Sequence, residues 1–198
     1  MRAFLAVELP EPVQASLASL QCQLAAGRAD VTWVQPTNLH LTMRFLGEIS
    51  DAQRQQIEAG ARRIAAGMAP FHVSLGTPGA FPSMRAPRGI WVGMTQGHKQ
   101  LTELSKGLEQ ESVAAGLQPV ADPANGGKER GFVAHVTIGR ARSPKRMEEL
   151  SAALAATRWE PPMAFLASAV TFFQSTLRPD GRVYSVLAQL PFQNVSDT

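Results

Sequence analysis

One cysteine, Cys22, stands alone in a chain of 198 residues. It cannot close an internal disulfide, and it leaves no cysteine cluster for structural zinc. A reducing, cytoplasmic setting is the expectation. Charged residues are sparse at 18% and aromatic ones at 7%, while 44% of the chain is hydrophobic. That balance is globular and excludes disorder as a description of the whole. No apolar run approaches the ~20 residues of a membrane span. The opening apolar stretch is broken by Glu8 and Pro10, too soon for a signal peptide. At this length folding buries roughly 70% of the extended chain's surface, so a core needs neither disulfide nor metal.

What is present is unevenly placed. The net charge is only +3, yet 126–146 carry Lys128, Arg130, Arg140, Arg142, Lys145 and Arg146 against Glu129 alone. Such a segment suits a polyanion met at one place, or a solvated basic loop. Four stretches read as amphipathic helices. Val13, Leu17, Leu20 and Leu24 follow Pro12, with Gly27 to end the first. Ser50 and Gln53 form a capping box ahead of Ile57, Ala61 and Ile64, closed by Gly67. Leu101, Leu104, Leu108 and Ala115 make the third, ending near Gly116. Met147, Leu150 and Leu154 make the fourth, with Ser143 as N-cap and Pro144 at its first position.

Strands are expected at 2–9, 39–46, 71–75, 89–94, 132–139, 164–173 and 183–190, rich in Val, Ile, Phe, Leu and Thr. Strands and helices do not alternate strictly, so an α+β fold with mostly antiparallel sheets is favoured over a doubly wound one. Two segments read as loops. The proline-rich 76–89 is an ordered excursion, and 119–131 is long enough to suggest a role.

Only four histidines occur, and two share a context: His40-Leu-Thr42-Met and His135-Val-Thr137-Ile. On a strand, alternate side chains face the same way, so each motif offers an imidazole and a hydroxyl on one face. One such tetrapeptide is common on exposed strands. Two, each followed by an amphipathic helix, read as a duplication whose polar pairs meet across a cleft. Paired imidazoles there supply a base and an acid near pH 7. Thr42 and Thr137 can hold phosphoryl oxygens. Two histidines without carboxylates are too few ligands for a typical catalytic zinc, so metal-independent chemistry is expected. His72 and His98 lack a partnering threonine and read as structural or surface residues. Trp33 and Trp91 read as core.

The doublet resembles the signature of the 2H phosphoesterase superfamily. Its longer forms, ending at Phe45 and Arg140, are similar to the branch of RNA 2′,3′-cyclic phosphodiesterases, also called 2′-5′ RNA ligases. Arg2-Ala-Phe-Leu-Ala, Trp33-Val34, Phe45-Leu-Gly-Glu48 and the run from Ser175 to Tyr184 agree, so the likeness spans nearly the whole chain. Ala134 departs from the proline frequent there, a matter of strand entry.

The resemblance implies one bilobal domain over 1–198. Two mostly antiparallel sheets would face a central groove, with two helices outside each. It implies hydrolysis of a terminal 2′,3′-cyclic phosphate on RNA, or on small cyclic nucleotides, to a 2′-phosphate. No cofactor, metal or membrane is implied, and a monomer is expected. His40 would be the acid and His135 the base, or the reverse. Thr42 and Thr137 would bind the phosphate, Phe45 would stack on the terminal base or, as a strand-end aromatic, simply belong to the core, and Arg140 would contact phosphate or base. Reaching the groove requires Gly139 to bend or end the strand, since five residues separate Arg140 from His135. Arg130 is a candidate RNA contact, as is Lys128. The reverse reaction, 2′-5′ ligation, uses the same acid–base pair. A non-catalytic module binding nucleotides or RNA ends is the alternative from another class.

Overall fold

The chain begins with β1 (Arg2–Glu8), α1 (Glu11–Ala25), β2 (Val31–Trp33) and a 3-10 turn at Pro36–Asn38. There follow β3 (His40–Glu48), α2 (Asp51–Ala66), β4 (Phe71–Ser83), β5 (Ala86–Gln96) and α3 (His98–Ala114). The second half holds β6 (His135–Ala141), α4 (Met147–Ala156), β7 (Phe165–Ala167), β8 (Ala169–Arg178) and β9 (Gly181–Pro191). This is a computed structural model, and it describes residues 1–119, 131–162, 164–179 and 181–193.

The α+β class stands, with every strand pairing among the described residues antiparallel. Where two sheets were expected, the pairing runs as one path, β7-β4-β5-β6-β3-β1-β8-β9, with β2 on β6. Its middle is narrow. β3 meets β6 at the single pair Leu41–Val136, whereas β1 and β3 pair from Arg2–Glu48 to Glu8–His40. The cause is competition for one edge of β6. β2 pairs with that strand at Gly139–Ala141, which keeps β3 to its start.

Helices back the sheet in two pairs. α2 and α3 pack on each other and behind β3, β8 and β9, while α1 and α4 pack behind β5 and β6. Leu5, Leu41, Ile90, Val136, Ile138 and Phe172 meet Leu17, Leu20, Ile57, Leu101 and Leu104 in a closed apolar layer. That burial, not helix propensity, holds these short helices in place.

The capping box at Ser50 and Gln53 forms as expected, and Gly116 follows α3 with φ +86°. Other details differ. Gly27 is not the left-handed residue after α1; Arg28 is, with φ +51°. Ser143 does not cap α4: the helix starts at Met147 behind Arg146 with φ +55°. Segment 76–89 is no excursion, because β4 and β5 extend into it as a hairpin paired out to Ser83–Ala86. Its prolines survive beside register shifts that interrupt the ladder, where a missing N–H is tolerated. β2 is too short and too mixed in composition to read as a strand from sequence.

Candidate active site

β3 and β6 lie side by side, and Leu41 faces Val136 across their seam. Both are fully buried on the helix side. Counting outward from that pair, His40 stands on the side of Thr137 and Thr42 on the side of His135. Strand alternation puts all four on the opposite, half-buried face. The duplicated motif thus becomes one polar patch at the centre of the sheet.

The two strands repeat each other in detail. From the histidine onward both read half-buried, buried, half-buried, buried, buried, exposed. The doubled buried step is a bulge. In β3, Arg44 pairs with Leu5 and Thr42 with Ala6, leaving Met43 over. In β6, Gly139 pairs with Ile90 and Thr137 with Trp91, leaving Ile138 over. An extra residue shifts the alternation by one, so the fifth residue after each histidine returns to the histidine's face. That residue is Phe45 in one strand and Arg140 in the other, as the proposed bend at Gly139 required. Phe45 is 60% exposed, with its ring 6.1 Å from Phe4. It is not core.

Each bulge carbonyl is held from behind. The Ser105 hydroxyl on α3 donates to the Met43 carbonyl at 3.0 Å. The Gln21 amide on α1 donates to the Ile138 carbonyl at 2.8 Å and to that of Val34 at 2.7 Å. Both side chains are buried. The Ile138 carbonyl also accepts the Val34 backbone N–H at 3.0 Å, so the helix side chains add to the satisfaction of buried carbonyls at the bulges.

The imidazoles are held alike. His40 Nδ1 lies 2.7 Å from the Asn38 carbonyl and His135 Nδ1 2.7 Å from that of Val133. A carbonyl only accepts, so each Nδ1 carries hydrogen and the lone pair of each neutral ring sits on Nε2. Phe4 stacks on His40 at 4.8 Å and Tyr184 meets its edge at 5.4 Å. Phe81 and Trp91 stand edge-on to His135 at 5.5 and 6.2 Å. Burial lowers the His40 pKa, partly countered by its bond to Asn38. A cavity of about 460 Å³ opens beside this wall, lined by Trp91, Gly93, Thr95 and Gly76. Among the described residues no three His, Cys, Asp or Glu side chains cluster to hold a metal ion. No helix there is long and apolar enough to cross a membrane.

Residues 7–91 match the family model described as LigT like phosphoesterase. An RNA 2′,3′-cyclic phosphodiesterase from Methanothermobacter thermautotrophicus is 30% identical over 185 residues, covering 93% of this chain and 95% of that one. Another of that name, from Thermus thermophilus, is 34% identical over 94% of this chain and 88% of its own. The chain belongs to the LigT-like phosphoesterases, within the 2H phosphoesterase superfamily. The crystal structure of TT0787 from Thermus thermophilus superposes with a TM-score of 0.77 at 27% identity, covering 99% of this chain and 100% of that one. Apo LigT of E. coli, at 23% identity and a TM-score of 0.74 over 98% of each chain, shares the fold.

In this LigT-like phosphoesterase, six sequence candidates come to one face: His40, His135, Thr42, Thr137, Phe45 and Arg140. Arg130 and Lys128 lie outside the described residues. His72 and His98 are exposed on β4 and at the start of α3, away from the seam. Trp33 packs on the core, but Trp91 does not belong there; it lines the site beside His135. Sequence reasoning passed over Phe4, Tyr184 and the two helix residues Gln21 and Ser105. A polar residue inside the apolar stripe of each helix was the available signal for the last two.

Proposed function

We propose that this phosphoesterase hydrolyses a terminal 2′,3′-cyclic phosphate on RNA, or on a small cyclic nucleotide, to a 2′-phosphate without a metal ion. The observation that carries this reading is the abutting pair of bulged His-x-Thr strands, each imidazole held through Nδ1 to a backbone carbonyl on a shared face. One Nε2 takes a proton from water as its oxygen attacks phosphorus. The other ring gives a proton to O3′ as the P–O3′ bond breaks. The Thr42 and Thr137 hydroxyls donate to the non-bridging oxygens, where charge grows in the transition state. Phe45 offers a face for the terminal base and Arg140 a charge for the phosphate. The same reading treats the molecule as two lobes meeting at the β3–β6 seam and related as repeats.

Under the assignment that the resemblance implies, His40 is the acid and His135 the base. Burial keeps His40 neutral in the free protein, so a bound phosphate anion must return its proton before it can act as acid. His40→Ala and His135→Ala should each lower turnover of a cyclic-phosphate oligonucleotide by about 10²–10⁴, with circular dichroism unchanged. EDTA should change nothing. Full activity in either variant, or loss on chelation, overturns the reading. A substrate with sulfur in place of O3′ needs no acid to depart, so it should rescue His40→Ala and not His135→Ala; the opposite pattern swaps the roles.

A further inference from the structure

Tyr184 has no part in the chemistry above, yet it is the aromatic group that meets His40 edge-on, at 5.4 Å and 84°. Its ring also packs on Phe4 at 4.8 Å, which fixes it on the site face of the sheet. Arg182 is two residues earlier on the same strand and so projects to that face. Arg140 reaches the same region from β6, turned there by the bulge. Burial pushes the Tyr184 phenol up, while the guanidiniums of Arg182 and Arg140 pull it back. Both cations therefore stand near a hydroxyl that keeps its proton at neutral pH. Among the described residues neither arginine has an ion-pair partner.

The strand carrying these groups is indexed to the reacting ring. The Asn38 side chain donates to the Arg182 carbonyl at 2.9 Å, and the Asn38 carbonyl takes the His40 Nδ1 hydrogen at 2.7 Å. Two hydrogen bonds thus separate the backbone of Arg182 from the imidazole. A surface arginine on a free hairpin would have no such link.

Two guanidinium forks, which only donate, and a protonated phenol, which can donate, suit the acceptor-only oxygens of a phosphodiester. We propose that Arg182 and Tyr184, joined by Arg140, form an anion subsite for the 5′-phosphate of the terminal nucleotide, the first backbone phosphate before the reacting end. That phosphate is one sugar away from the 2′,3′-cyclic phosphate, and the Tyr184 ring of the subsite stands 5.4 Å from that of His40. The subsite selects an RNA strand, or a nucleotide bearing a 5′-phosphate, over a nucleoside cyclic phosphate lacking one. This inference rests on the proposed activity for its orientation and on the donor set for its ligand.

The test pairs two measurements on the full chain and on Arg182→Gln and Tyr184→Phe. The first is fluorescence anisotropy of a 5′-labelled short RNA ending in a 2′-phosphate, titrated at several salt concentrations. Arg182→Gln should weaken binding about tenfold and lower the log–log salt slope by ~0.7, the share of one single-strand phosphate contact. Tyr184→Phe should weaken it less and leave the slope alone. The second measurement is the ratio of KM values for a cyclic-phosphate dinucleotide and a nucleoside 2′,3′-cyclic monophosphate. Arg182→Gln should shift that ratio about tenfold with the kcat ratio held, and Arg182→Lys should restore part of it. An unchanged slope with an unchanged KM ratio overturns the subsite while hydrolysis by the wild type leaves the activity standing. If the wild type hydrolyses neither substrate but the anisotropy difference persists, the activity falls and the subsite remains as an RNA-binding site.

Discussion

At the fourth residue after its histidine, β3 carries Arg44 and β6 carries Gly139. The backbone is the same bulge in both strands, but its support differs. Arg44 is 4% exposed and reaches back into the helix layer, 2.6 Å from the Glu109 carboxylate of α3 and 2.7 Å from the Gln118 carbonyl. Gly139 has no side chain because Trp33 occupies the space: a Cβ there would lie 2.8 Å from the indole and 3.0 Å from Val31. One bulge is anchored by a buried charge and the other by an aromatic ring laid on a glycine. The shape that turns Phe45 and Arg140 toward the site therefore does not depend on one kind of side chain. What recurs is the helix donor on the preceding carbonyl.

Breaking the β3 anchor should give the largest effect on stability. Removing Glu109 leaves the Arg44 guanidinium buried and uncompensated, so Glu109→Ala should lower unfolding free energy by about 3–5 kcal/mol in denaturant titration. Arg44→Met should cost less, because the Glu109 side chain is 28% exposed and water can take over its charge. Burial already lowers the Arg44 pKa against the pull of Glu109, which sets the direction of that asymmetry. Equal losses for the two variants would mean that the pair is not desolvated as described.

Gly139→Ala attacks the β6 anchor by overpacking, and the expected loss is about 1–3 kcal/mol. Its signature should be functional as well. Pushing β6 off Trp33 displaces Arg140, so KM for an RNA substrate should rise more than kcat falls. If kcat falls alone, the bulge positions the imidazole, not the arginine.

The shared helix donors come next. Gln21→Leu removes one buried and one part-buried hydrogen bond and should cost about 1–3 kcal/mol, while Ser105→Ala removes one buried bond and should cost about 1 kcal/mol. The comparison predicts a division of labour. Gln21→Leu should disturb substrate terms that depend on Arg140, and Ser105→Ala those that depend on Phe45. A double variant whose losses add within ~0.5 kcal/mol would agree with two separate bulges; strong coupling would say the seam moves as one piece.

Much of this arrangement was legible in the chain. The His-x-Thr doublet marked both central strands, and the apolar residues around it marked their buried face. The capping box fixed the start of α2. The need for a bend at Gly139 followed from counting five residues on a period of two. The matching bend in β3 did not, because Arg44 gives no local sign of a bulge: it is made by a salt bridge to a helix 65 positions on. Trp91 read as core since nothing local separates a buried tryptophan from one that walls a groove. The β4–β5 hairpin was obscured by prolines that a regular strand would exclude but a shifted register accepts. The single pair joining β3 to β6 depends on β2 competing for one edge of β6, a contest between segments distant in sequence.

The smallest expected effect concerns charge on the His40 ring. Its folded pKa is lowered, first by burial, so the unfolded chain takes up a proton at this residue before the folded one does. By linkage, stability is unaffected well above the unfolded value of ~6.5. It then falls as the pH drops through that value and levels off below the folded pKa. His40→Gln, which keeps a polar group beside Phe4 and Tyr184 without the titration, should flatten that part of the stability–pH curve. Because the proton is refused by desolvation, a bound phosphate anion should reverse the sign locally. Adding a non-hydrolysable cyclic-phosphate analogue should move the His40 resonance in an NMR titration upward in pKa. A ring that titrates unmoved with the analogue bound would mean that the anion does not rest against His40, and would shift the reacting phosphorus toward the β6 half of the seam.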